Sequence, residues 1–293
     1  MKKNIGKLLY LYIVLLAGVL LSCTSPIDID TNNTHPRLVV FGAFSQDTVR
    51  NYVSISKSMS YFNTNPPIAI TGAKVTVTAD NVVYKLLPDT VAGRYYIDSL
   101  EMVVGREYVL DIYLDFDENG VNEHYQAKSK MINTPRIDSI KLSSIVIQKL
   151  PIMFVYGEIF DTTENNFCLY NWKNSDTIGI FDYLMIMSSQ FLQSAGRVYP
   201  TPYFIRKGIK KGDTLNLRID NLSNAYSRFI SQVSSESNIK NPWFSSPPAE
   251  VTTNIVCLDS NVRVSGFFST YSRGQVFSVI SNIDFSFGSM SNS

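Results

Sequence analysis

Short runs in which apolar and polar residues alternate recur along this sequence, and a period of two admits little besides β-sheet. In Lys74-Val75-Thr76-Val77-Thr78-Ala79, the residues Val75, Val77 and Ala79 fall on one face and the polar residues on the other. Tyr108, Leu110, Ile112 and Leu114 alternate with Val109, Asp111 and Tyr113, and Leu215, Leu217 and Ile219 alternate with Asn216, Arg218 and Asp220. Successive side chains of a strand point to opposite faces, so each run predicts a strand with one buried side. Further strands are expected over 37–44, 52–56, 95–97, 125–131, 140–147, 154–159 and 262–268. Turn formers such as Pro66-Pro67, Ala92-Gly93, Glu118-Asn119-Gly120 and Lys211-Gly212-Asp213 separate them. Many closely spaced strands argue for a sandwich or barrel and against a βαβ enzyme fold. The 17 Tyr, 17 Phe and only 17% charged residues push the same way.

One segment breaks the pattern. Leu222, Ala225, Tyr226, Phe229, Ile230 and Val233 form a single apolar stripe at helical spacing, which predicts an amphipathic helix over about 221–234. Asp220 or Asn221 is placed to cap its start, and core packing is its expected role. A break is expected at Asn133-Thr134-Pro135. It divides an immunoglobulin-like β-sandwich over 37–134, about the length of such a module, from a β-rich domain over 135–293.

Ahead of these domains, Lys2, Lys3 and Lys7 precede fourteen uncharged, almost wholly apolar residues from Leu8 to Leu21. Fourteen is short of the roughly 20 that span a bilayer and suits the core of an export signal. The closing run Leu20-Leu21-Ser22-Cys23 resembles the bacterial lipobox. That resemblance implies cleavage before Cys23, a diacylated thiol and an acylated new amino terminus, with 1–22 removed. More than one acyl chain is what stable anchoring requires. Residues 23–36 are polar and turn-forming and read as a flexible tether. Cleavage removes three of 26 basic residues and no acids, leaving 23 against 25 acids. With no block of like charge, the composition argues against nucleic-acid binding.

Catalytic chemistry is hard to find. The two histidines, His35 in the tether and His124 beside an expected turn, read as exposed side chains and not as members of a Ser-His-Asp arrangement. Zinc-type Cys/His clusters and phosphate-cradling glycine loops are missing, and no cofactor is expected. Cys168 and Cys257 either pair in an oxidising envelope or serve as small buried hydrophobes. Asp115, Asp117 and Asn119, followed by Gly120, resemble the opening of a calcium loop. The twelfth position, however, is Gln126 where a bidentate glutamate belongs, and strands flank the loop, so a hairpin turn is the preferred reading. Tyr203, Phe204 and Arg206 lie in a basic-aromatic stretch with Lys207, Lys210 and Lys211. Together with Trp243 in Asn241-Pro242-Trp243-Phe244, they are the candidate ligand-binding residues, although a solvated hairpin turn explains the first stretch as well and loop aromatics more often plug the edge of a core.

Four places carry a family resemblance. They are Gly93-Arg94-Tyr95 with Gly105–Ile112 and Pro135–Ile140; Asn166-Phe167-Cys168-Leu169-Tyr170; Gly212-Asp213-Thr214-Leu215; and Asn241-Pro242 followed by Ser265-Gly266-Phe267-Phe268-Ser269. Their order resembles the Bacteroidota lipoprotein family called domain of unknown function 4249. The resemblance implies a surface or outer-membrane lipoprotein encoded beside a TonB-dependent transporter, with an immunoglobulin-like first domain and a β-rich second one, and it supplies no catalytic residues. The expected function is therefore non-enzymatic: an accessory of a TonB-dependent outer-membrane transporter, held to the lipid bilayer through acylated Cys23, that captures a ligand or caps the barrel. A structural or adhesive envelope protein is the alternative, and a hydrolase with an unfamiliar site using His124 or Asp117 comes third.

Overall fold

The computed structural model describes residues 36–46, 50–59, 65–98, 100–134, 137–147, 150–159, 166–173, 176–177, 186–188, 197–198, 202–204, 211–237 and 250–279. The first half contains β1 (Leu38–Ser45), β2 (Asn51–Lys57), β3 (Ile68–Ala69), β4 (Lys74–Ala79), β5 (Val82–Lys85), β6 (Leu87–Pro88), β7 (Arg94–Ile97), β8 (Glu107–Leu114) and β9 (Glu123–Lys130). There follow β10 (Ile137–Ile147), β11 (Leu150–Ile159), β12 (Asn166–Lys173), β13 (Asp176–Thr177), β14 (Ile186–Ser188), β15 (Arg197–Val198), β16 (Pro202–Phe204) and β17 (Thr214–Leu222). The helix α1 (Asn224–Ser237), β18 (Val256–Cys257) and β19 (Ser265–Val279) complete the order. The chain is mainly β, as its alternation predicts, and among the described residues no helix is long and apolar enough to cross a membrane.

Two sheets share the principal core. One runs β18-β9-β8-β4-β5, and the other contains β19-β1-β2-β7. The alternating residues do what their period requires: Val75, Val77 and Ala79, and Tyr108, Leu110, Ile112 and Leu114, are all buried against Leu38, Val40, Phe44, Val53, Ile55, Tyr95 and Ile97. Burying such side chains stabilises by about 1.5–3 kcal/mol each. The tyrosines among them also satisfy their hydroxyls. Tyr108 OH accepts from Val103 N–H at 2.7 Å and donates to the Glu101 carbonyl at 3.2 Å.

Ile255, Val264 and Phe268 belong to this same core, with Phe268 meeting Phe44 edge-on at 5.2 Å. The layer expected to close at residue 134 thus includes chain from beyond 250. β18 pairs with β9, and β19 lies parallel to β1, Val39 opposite Ser265 through Ser45 opposite Tyr271. From Ser272 onward β19 turns to β17 instead, antiparallel, with Ser272 opposite Asn221 and Val279 opposite Thr214. One strand therefore serves both halves, and its sheet extends through β17 to β12 and β13.

The crossing point is polar and bonded. Ser272 Oγ donates to the Ile132 carbonyl at 2.6 Å and meets the Thr134 hydroxyl, and Asn221 Nδ2 donates to the Asn133 carbonyl. On the opposite face of β17 and β19, Arg273 grips Asp220 with two N–H groups, Nε at 2.6 Å and Nη2 at 3.0 Å. Burial pushes the pKa of the Asp220 carboxyl up to about 7, with Arg218 acting to lower it.

The helix differs from its expected bounds. β17 runs on to Leu222, so Asp220 and Asn221 are paired strand residues and not caps. Ser223 caps instead, its Oγ accepting from Tyr226 N–H at 3.2 Å. Tyr226 and Phe229 bury the inner face of α1 against Phe267, with ring centroids 5.5 and 5.1 Å away, and Phe229 also stacks on Phe41. Core packing is indeed the role of this helix.

Candidate functional site

The β8–β9 hairpin gathers the acids that the sequence singled out, but in a different set. Register places Leu114 opposite Glu123, so Glu123 returns across the mouth of the hairpin to the side of Asp115. Carboxylate oxygens of Asp115, Asp117 and Glu123 lie within 4.8 Å of one another. Asn119 contributes to the turn and not to that group. Its side-chain carbonyl accepts from Val121 N–H at 2.8 Å and its amide donates to Asp117 at 2.9 Å. Asp115 accepts from the backbone N–H groups of Asn119 at 3.0 Å and Gly120 at 2.8 Å, and Glu123 accepts from Phe116 N–H at 2.8 Å. Calcium asks for six to eight oxygens, and here the carboxylates already hold the backbone of the turn. The arrangement works first as the hairpin turn that the sequence favoured.

His124 is less exposed than the sequence suggested. It lies on β9 beside Asp111 of β8, with Nε2 2.8 Å from Asp111 Oδ1, and its ring stacks on Tyr113 at 4.3 Å. Gln126 Nε2 donates to the same Asp111 oxygen at 2.8 Å. Tyr113 sits opposite His124, and Asp111 opposite Gln126, so cross-strand neighbours account for the whole cluster. The Asp111 contact and the Tyr113 stack together fix the orientation of the His124 ring. Cys257 is a free thiol 3.2 Å from Ser260 Oγ.

An open groove of about 500 Å³ lies where β1 begins, beneath α1. Val39, Phe229, Val233 and Gly266 form its apolar part, and Arg37 and Glu250 its charged rim. Glu250 bridges Arg37 at 2.8 Å and Arg263 at 3.0 Å. Sequence reasoning missed this groove because its walls come from three segments far apart in the chain.

The remaining candidates have simpler outcomes. Tyr203 and Phe204 form part of β16, opposite Met153 and Ile152 of β11. Cys23, His35, Arg206, Lys207, Lys210 and Trp243 lie outside the described residues.

A family model described as "Domain of unknown function (DUF4249)" matches residues 24–276. The chain belongs to this family. No curated protein matches it. In this DUF4249 chain the residues that carry the resemblance fall on strands of both sheets. Arg94 and Tyr95 begin β7, Glu107 to Ile112 lie in β8, and Asn166 to Tyr170 open β12. Ser265 to Ser269 form the stretch of β19 that pairs with β1.

Proposed function

We propose that this protein is an outer-membrane lipoprotein, anchored through acylated Cys23, that serves a TonB-dependent transporter as a non-enzymatic accessory. Its work is to capture a ligand or cap the barrel. The observation that carries this reading is a coincidence of boundaries: the lipobox-like run closes at Cys23, and the family region starts at residue 24. The open groove at the start of β1 supports it, since an apolar floor with a paired Arg–Glu rim suits binding more than bond-breaking. The two-layer first half, read as immunoglobulin-like, supplies a rigid mount for that groove.

Purification of the full-length protein from detergent-solubilised membranes tests the partner. A TonB-dependent barrel is expected to co-purify, and its repeated absence would overturn the accessory role. A spacer or adhesive role is the second reading, favoured by the same sandwich, and predicts attachment defects in a deletion strain with transport intact.

A further inference from the structure

The start of β1 and four exposed aliphatic side chains share one end of the two-layer sandwich. Leu38, the first residue of β1, sits opposite Lys57, the last of β2, and Arg37 exchanges two hydrogen bonds of 2.8 Å with Ser58. Ile68 also lies opposite Lys57. Lys57 Nζ reaches Glu118 in the β8–β9 turn at 3.0 Å. Beyond that turn, His124 donates its backbone N–H to Asp259 at 2.6 Å and accepts from Leu258 N–H at 2.8 Å. The Arg37–Glu250–Arg263 chain of ion pairs closes the circuit. Four aliphatic side chains stand out from this end: Ile68 at 59% exposure, Val121 at 66%, Leu258 at 52% and Val262 at 50%. Exposed apolar side chains rimmed by charge mark contact surfaces.

The opposite end, at the Asp80-Asn81 turn, also exposes Val82 and Val83. What separates the two ends is the leash. Thirteen residues lie between Cys23 and Arg37. A chain of that length reaches about 45 Å at most. A bilayer holding Cys23 therefore lies within that reach of Arg37, and the covalent link makes any weak contact at this end intramolecular.

We propose that this end docks on the phospholipid surface that anchors Cys23, with Val121, Leu258 and Val262 entering the headgroup layer. The proposal rests on the lipid anchoring put forward above. The surface it fits is zwitterionic. Lys57, Arg37 and Arg263 approach it already paired with Glu118 and Glu250, while Asp115, Asp117, Glu123 and Asp259 leave this end acidic, so an anionic bilayer would be repelled.

Photo-crosslinking of the full-length protein in native membranes tests this. A benzoylphenylalanine is installed singly at Val121, Leu258 or Val262, with Val83 as the control at the far end; all four positions are exposed, so folding tolerates them. Phospholipid adducts at the three tips should exceed those at Val83 by about tenfold, the ratio that burial of one aliphatic side chain gives. Acylation of Cys23 is read on the same samples from the mass of the N-terminal peptide. Acylated Cys23 with lipid adducts no higher at the tips than at Val83 overturns docking and leaves the anchor standing. Protein adducts in place of lipid ones overturn it in favour of a protein partner. Unmodified Cys23 overturns the anchor and the docking together.

Discussion

Replacing Gly266 with alanine tests the joint on which the two halves depend. Gly266 has φ +101°, and a Cβ there would lie 1.9 Å from the Val40 carbonyl oxygen, 2.7 Å from its carbon and 2.9 Å from its nitrogen. All three atoms are backbone of β1, so no rotamer change relieves the clash. The forced dihedral costs about 1–3 kcal/mol, and displacing the strand adds about 1–3 kcal/mol. The sum, about 2–6 kcal/mol, is a large share of the roughly 5–15 kcal/mol that holds a domain together. Gly105 is the control: its φ is +87°, but a Cβ there has nothing within 4 Å, so Gly105→Ala carries the dihedral cost alone. Equilibrium urea unfolding of the full chain, followed by far-ultraviolet circular dichroism, should place Gly266→Ala below Gly105→Ala by about 1–3 kcal/mol. Midpoints that agree within error would refute the claim that backbone contact between β1 and β19 is what demands glycine.

Other outcomes follow from the same contacts. Asp220→Ala removes the carboxylate that both Arg273 and Arg218 face and should destabilise by about 3–5 kcal/mol in thermal unfolding. Asp115→Ala removes the acceptor for two backbone N–H groups and should cost about 1 kcal/mol; millimolar calcium or a chelator should shift Tm by less than this substitution does. Ser223→Ala should cost about 1 kcal/mol through the lost cap. Phe229→Ala should cost about 3–5 kcal/mol and speed amide exchange across α1.

Period two was enough to read β4 and β8, because each strand buries one face and leaves the other wet. It failed wherever burial and polarity part company. β5 carries Val82 and Val83 outward on a sheet edge, so its apolar run has no buried side to mark. β19 buries Ser269, Thr270 and Ser272, and tertiary partners stand in for apolarity: Ser129 Oγ accepts the Thr270 N–H at 2.8 Å, and the Ile132 carbonyl takes the Ser272 hydroxyl. Leu222 fits both a strand and a helical stripe, which is why the helix was expected to start early. At the acidic turn, Asp115 and Asp117 were visible from spacing alone. Glu123 was not, because counting forward along a helical loop reaches Gln126, while an antiparallel hairpin folds back to Glu123. His124 looked solitary for the same reason, its partner Asp111 being a cross-strand neighbour.

The parallel pairing of β1 with β19 also sets a timetable. Val39 finds its partner Ser265 only about 225 residues later, and closing a loop of that length must precede any reward from the contact. A chain emerging amino terminus first holds β1 with one edge open, shielded only by β2, until almost everything else has been made. That open edge is where a second chain could add itself by mistake. Folding of this protein should therefore be slow and sensitive to crowding by its own copies, and a holdase that covers the first sheet would matter most in the interval before the last strand arrives.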